Sequence, residues 1–293
     1  MAVPAAHVEQ VIASCTRATA ANRNTASRRG NLIELTSEQA DDVMITADMH
    51  GNRLNFERVV KIADLANHPR RHLILQEVCH GGPTYPVGSG CMSHLLLEDV
   101  ARLKATFPNQ VHFLLSNHEL AELTEYPIAK SHRLLNLIFR SGMQEFYGSQ
   151  VERVRDAYLR FVASCALGVR LESGIVITHS APESVDQRGF DTSIFDRPLT
   201  AADLAPQGAV FKLVWGRDFR ERNAQAFAEL MRAQVLIHGH EPCSEGYRVP
   251  NSRQVILDCV GPNAHYVLVP VREVLTQAQV VASIKPLWKT SVR

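Results

Sequence analysis

Three observations in this sequence predict an α/β layered fold. From Gly30 onward, short apolar runs of strand length alternate with longer segments of helical period. Through the first half the strand–helix–strand spacing suits crossover units, which build parallel sheets. Later strand candidates follow one another after short breaks, which adds an antiparallel element.

The elements can be taken in order. The first thirty residues are rich in Ala, Thr, Asn and Arg and predict an amphipathic helix from about Pro4 to Ala21, then a polar linker, NRNTASRRG. Expected strands are 31–35, 42–47, 72–78, 111–116, 168–172, 174–180, 209–215, 234–238, 253–258 and 264–271. Expected helices cover 54–67, 93–107, 131–140, 149–164 and 220–233. No internal repeat or low-complexity tract interrupts them, so the expectation is one domain over 31–293 behind an N-terminal arm over 1–30.

Composition narrows the function. The 293 residues carry 31 basic and 30 acidic side chains, a net charge of +1, without the basic excess that neutralises a nucleic-acid backbone. Apolar residues make up 45%, too many for a disordered chain. No apolar stretch approaches the ~20 residues of a membrane span. The start, MAVPAAHVEQ, has no basic segment leading into an apolar one, so no secretory signal is expected. The six cysteines form no CxxC pair and are expected as reduced thiols in a cytoplasmic protein.

Five apolar runs end in residues able to bind metal or move protons. VMIT leads to Asp48 and His50, HLIL to Glu77 and His80, and VHFLL to Asn117 and His118. GIVIT leads to His179, and QVLI to His238 and His240. In an open α/β sheet the loops at the carboxyl ends of strands line the ligand crevice. Carboxylate, imidazole and amide oxygen converging there suit a polynuclear metal site. Each motif alone has a plainer reading: Asp-x-His as a polar loop, Asn-His-Glu as a helix start. All five in order make the plain reading improbable.

This pattern resembles the calcineurin-like metallophosphoesterases, and within them the phosphoprotein phosphatase branch with its bacterial relatives. The segments that carry the resemblance are ADMHG (47–51), QEVCHGG (76–82), SNHE (116–119), THS (178–180) and HGH (238–240), within roughly Asn31 to Val271. LVWGRD (213–218) and the closing RQVILDCVGPNAHYVLVPV are softer matches. The resemblance implies a central β-sandwich of two mixed sheets flanked by helices. It implies two divalent metal ions, Mn²⁺ first, with Fe or Zn²⁺ as alternatives. It assigns Asp48 and His50 to one metal, Glu77 as the bridge, and Asn117, His179 and His240 to the other. It makes His118 the acid that protonates the leaving group.

One segment departs from the family. The bridging position holds Glu77 in place of Asp, one methylene longer. His80 stands where the family has the Asp that orients the acid, and Gly81 where it has a phosphate-binding Arg. Here His80 is taken as a substrate donor, the glycine pair 81–82 as a possible source of backbone N–H groups for an anion, and Arg217 as a phosphate clamp. For Arg217 the alternative is a surface residue paired with Asp218. His238 is expected behind the ligands. The long polar segment 182–208 reads either as a lid or substrate-selecting loop or as a simple surface excursion.

The function so implied is hydrolysis of a phosphomonoester, foremost on phosphoprotein Ser/Thr. The alternatives are a hydrolase of nucleotides such as dinucleoside polyphosphates and a non-catalytic binding protein on the same fold. THSAP lacks the GxSxG elbow of a serine nucleophile, and no Cys-x₅-Arg loop is present.

Overall fold

A computed structural model describes residues 3–288. Helix α1 (Ala5–Asn24) precedes strands β1 (Arg28–Arg29), β2 (Leu32–Leu35) and β3 (Asp42–Ile45). Then come α2 (Arg53–Ala63), β4 (Arg71–Leu75), α3 (Ser93–Thr106), β5 (Val111–Phe113) and α4 (Asn117–Thr124). A hairpin of β6 (Ala129–Lys130) and β7 (Arg133–Leu134) enters α5 (Leu135–Tyr147) and α6 (Val151–Val162). Strands β8 (Gly168–Leu171) and β9 (Ile175–Thr178) lead to α7 (Val185–Arg188), α8 (Ala201–Leu204), α9 (Ala209–Trp215) and α10 (Glu221–Leu230). The chain closes with β10 (Val235–His238), β11 (Tyr247–Arg248), β12 (Gln254–Leu257), β13 (His265–Pro270), α11 (Gln277–Ala282) and β14 (Ile284–Pro286).

Two mixed sheets form the centre. One has the order β1-β2-β8-β9-β10-β12-β11, the other β14-β13-β3-β4-β5. The expected crossovers are present: β3, β4 and β5 run parallel, joined through α2 and α3. The later strands supply the antiparallel contribution, β13 pairing antiparallel with β3. Period-2 alternation divides each strand between two cores. Val43, Ile45, Ile74, Ile175, Ile177, Val235 and Ile237 belong to the core between the sheets. Met44, Leu73, Leu75, Val176 and Leu236 face the helices. Burial on both faces is why these strands read as unbroken apolar runs.

Helix α1 is longer than expected, reaching Asn24, and lies against α3 and α6. Its Val8, Val11, Cys15 and Ala18 join the same core as the other helices. Its end is tied by Asn22 Nδ2 to Ser164 Oγ at 2.9 Å. The buried Lys104 ammonium donates to Thr25 Oγ1, Pro108 O and Val111 O at 2.9, 2.7 and 2.8 Å. Those three acceptors satisfy all three of its donors.

Two expected elements differ. Residues 209–215, expected as a strand, form α9. Val210, Leu213 and Val214 are buried at helical spacing while Lys212 points outward, and a run of seven residues is too short for its apolar content to decide between the two. The helix expected from 131 starts at Leu135, because Ala129–Leu134 fold into the β6–β7 hairpin. Among the described residues no helix is long and apolar enough to cross a membrane. All six cysteines are unpaired.

Candidate metal and phosphate site

The carboxyl ends of β3, β4 and β5, from one sheet, meet those of β9 and β10, from the other. Asp48, His50, Glu77, Asn117 and His118 come from the first edge, and His179 and His240 from the second. The five motifs are therefore brought together, and the arrangement centres on Glu77. Its Oε1 lies 2.9 Å from His50 Nε2 and 3.9 Å from His118 Nε2, and its Oε2 lies 3.0 Å from His179 Nε2. Two groups of donors result, His50–Glu77–His118 and Glu77–His179–His240, each close enough to hold one cation. Asn117 Oδ1 stands 2.7 Å from His179 Nε2 and 3.0 Å from His240 Nδ1. Asp48 Oδ1 accepts the His240 backbone N–H at 3.0 Å and lies 3.9 Å from His179 Nδ1.

The backbone is forced to make this cluster. His50, Glu77, His80 and His240 all have positive φ, at 41°, 33°, 61° and 69°. Such conformations cost non-glycine residues about 1–3 kcal/mol each and gather where function needs a side chain aimed. The loops 50–51 and 81–82 press on one another, and a Cβ at Gly81 would stand 2.7 Å from His50 O. The glycine pair thus has a packing reason that the sequence alone did not show. Glu119 pins the same region. Ser116 caps α4, accepting the Glu119 N–H and donating to the Glu119 carboxylate, whose other oxygen accepts the N–H groups of Val78 and Cys79 at 3.0 and 2.8 Å. The Glu of SNHE thereby fixes the loop that presents Glu77.

Electrostatics follow from crowding two buried carboxylates among imidazoles. Burial, then the charge of Glu77, raises Asp48 to about 7. Burial also works against ionised Glu77, but His118, His179 and His50 around it hold its carboxyl well below the usual range. Burial alone would depress His50, yet the adjacent Glu77 carries it up to about 10. Burial lowers His118 to about 3 and His240 well below its ordinary value. His240 Nε2 is buried with no hydrogen-bond partner, and Glu77 Oε2, though 3.0 Å from His179 Nε2, has no aligned one. Orphaned, convergent oxygen and imidazole donors fit divalent cations. Asp48, His50, Glu77, Asn117, His179 and His240 are the residues that could hold them.

Several supporting residues escaped the sequence reading. Gln76, at a glycine position of the family motif, donates to Thr46 O and sets its Oε1 3.2 Å from His179 Nδ1, so it orients that imidazole. Lys130, on the β6–β7 hairpin, lines a cleft of about 600 Å³ together with Asp48, His50 and His240. His238 turns its Nδ1 to Thr178 O at 3.1 Å. Arg217 is half exposed and ion-paired, but with Glu241; Asp218 pairs with Arg220 instead. His80 is fully enclosed and both ring nitrogens are engaged, one 2.9 Å from His118 Nδ1 and the other 2.8 Å from Glu122 Oε1. It stands behind His118 and does not offer the substrate donor expected of it. Segment 182–208 contributes Pro182–Ser184, Arg188–Asp191 and Gln207 to a second cavity of about 630 Å³, which also includes Phe211, Lys212 and Trp215. The Trp215 ring meets His240 edge-on at 6.1 Å.

No family model and no curated protein matches the sequence. Solved structures do match in shape. A protein serine/threonine phosphatase from Saccharomyces cerevisiae aligns with a TM-score of 0.67 at 15% identity, over 91% of this chain and 83% of that one. A cold-active protein-tyrosine phosphatase of a psychrophilic Shewanella species aligns at 0.60 and 11% identity, over 89% and 83%. Both agree with the two mixed sheets and flanking helices expected from the sequence, and the chain has a phosphoprotein phosphatase-like fold.

Proposed function

We propose that this protein is a metal-dependent phosphomonoesterase acting on phosphoserine or phosphothreonine in protein substrates. The observation that carries this reading is the division of Glu77, one carboxylate oxygen addressing each donor cluster. Its extra methylene relative to the family's Asp is accommodated by positive φ at Glu77 and by the amide contacts of Glu119 to Val78 and Cys79.

Two divalent cations, Mn²⁺ first, held by Asp48, His50, Glu77, Asn117, His179 and His240 would polarise the phosphoryl oxygens and acidify a water nucleophile. The chain's own residues supply the rest. His118 presents Nε2 toward Glu77 and, once protonated there, gives that proton to the leaving oxygen, a step typically worth ~10²–10⁴-fold. Lys130, on the wall of the cleft, receives the phosphate's negative charge where the family's Arg is replaced by Gly81. Arg217 donates to His240 O at 3.4 Å, with its charge paired to Glu241. The unpaired thiols and the balanced net charge accord with work in the cytoplasm without a nucleic-acid partner.

A second reading has its own support. The cavity beside the site combines Phe190, Phe211 and Trp215 with Arg188 and Lys212, which suits a nucleobase and its phosphates. The deciding experiment is hydrolysis by metal-stripped protein titrated with Mn²⁺, Zn²⁺ or Fe²⁺. The substrates are p-nitrophenyl phosphate, a phosphoserine peptide and diadenosine tetraphosphate. Turnover of the peptide, abolished in Asp48→Asn, supports the first reading; preference for the dinucleotide supports the second. Bound metal without turnover of any of the three would leave a binding protein on a phosphatase fold.

A further inference from the structure

We propose that Glu122 and His80 form a relay that fixes the tautomer and orientation of His118, doing through two residues what a single carboxylate does in the family pattern. The inference rests on the phosphomonoesterase reading and names how its acid is positioned.

The geometry leaves little freedom. His118 and Glu122 lie one turn apart on α4, and His80 inserts between them from the loop after β4. His80 Nε2 lies 2.8 Å from Glu122 Oε1, and His80 Nδ1 lies 2.9 Å from His118 Nδ1. Its ring meets Phe139 edge-on at 5.6 Å, which closes the side away from the site. Glu122 is itself held, accepting from Asn136 Nδ2 at 2.9 Å, with Arg140 Nε 3.8 Å from its other oxygen.

With Glu122 ionised and His80 neutral, these contacts imply one set of tautomers. An ionised carboxylate can only accept, so His80 carries its proton on Nε2. The lone pair of neutral His80 is thereby left on Nδ1, and the facing His118 must donate from its own Nδ1. His118 Nε2 is the nitrogen that remains, and it is the one turned to Glu77 and the cleft. To act as acid, His118 must first take up a second proton on Nε2 from solvent; it then passes that proton to the leaving oxygen while the Nδ1–H bond to His80 persists. Glu122 and His80 are positioning residues, acting on the reaction through His118.

A substitution with opposite consequences in two backgrounds tests this. Glu122→Gln can donate as readily as accept, so the tautomer is no longer enforced. In His80→Asp, an aspartate oxygen falls at the same number of bonds from the backbone as His80 Nδ1 and can accept from His118 directly; Glu122 is then superfluous. Mn²⁺-loaded wild type, Glu122→Gln and the His80→Asp/Glu122→Gln double variant are compared on p-nitrophenyl phosphate and on a phosphoserine peptide. Glu122→Gln is expected to lower kcat tenfold or more on the peptide, whose alkoxide needs a proton. The loss on p-nitrophenyl phosphate should be severalfold smaller, with KM and metal content unchanged. The double variant should regain most of the loss. In the metal-free protein, ¹⁵N NMR should show His118 as the Nδ1–H tautomer, mixed in Glu122→Gln. Equal losses on both substrates, no recovery in the double variant, or an unmoved tautomer would each overturn the relay. A wild type inactive with every metal sinks the phosphatase reading instead, and the NMR arm then decides the relay by itself.

Discussion

The Asp48 carboxylate accepts a hydrogen bond from the backbone N–H of His240 at 3.0 Å, joining the first motif of the chain to the last. Between those two residues stands the glycine of HGH, and a Cβ at Gly239 would collide with the Asp48 carboxylate. Gly239→Ala should therefore displace Asp48 and lower metal affinity about tenfold or more, without removing a donor. Asp48→Asn should weaken the same metal and abolish most turnover. Metal stoichiometry by elemental analysis, with affinity by calorimetry, checks both; unchanged affinity in Gly239→Ala would show that the contact is idle.

His118 sits within reach of the first donor cluster, yet its Nε2 is 3.9 Å from Glu77 where His50 is at 2.9 Å. His118 is still one of the three donors that could hold a cation there. His118→Asn should cut kcat by about 10²-fold or more while metal content stays near wild type. Parallel loss of metal and activity would move His118 into the ligand set.

Lys130 reaches the cleft wall from a hairpin rather than a strand end. Lys130→Ala should raise KM for phosphate esters about tenfold and weaken inhibition by inorganic phosphate. Metal content should not change. A KM equal to wild type would return the clamp to Arg217.

Away from the site, His72 and His112 form a buried pair, His72 Nδ1 lying 2.8 Å from His112 Nε2. Burial lowers His72 to about 4 and His112 well below its ordinary value. The unfolded chain would take up these protons near pH 6.5, so it binds more of them than the folded state as pH falls. Their contribution is whole above about 6.5 and is lost toward pH 4, on the order of 3 kcal/mol for His72 alone. Urea midpoints at pH 7.5 and 4.5 should differ less in His72→Gln than in wild type.

Fold and site were legible in the sequence to different depths. The site ligands stood at strand ends because the sheet puts its loops there, and apolar runs are readable when both faces of a strand are buried. His80 was legible as a substitution but not as a positioning residue, since its partner Glu122 follows the SNHE motif by one turn and looks like any helical carboxylate. Lys130 was missed because nothing local marks a two-residue strand bent over a cleft. Residues 209–215 were misread because apolar content alone cannot choose between two periods in so short a run.

Asp48, His50, Glu77 and Asn117 follow strands of one sheet, and His179 and His240 follow strands of the other. Cations held there would therefore rivet the two halves of the sandwich across their shared edge. Each sheet alone carries an incomplete set of ligands, so shear between the sheets would pull the set apart. Occupancy should thus be felt far from the cleft, as slower amide exchange in β9, β10 and β3 together, the two sheets opening as one body when loaded and separately when stripped.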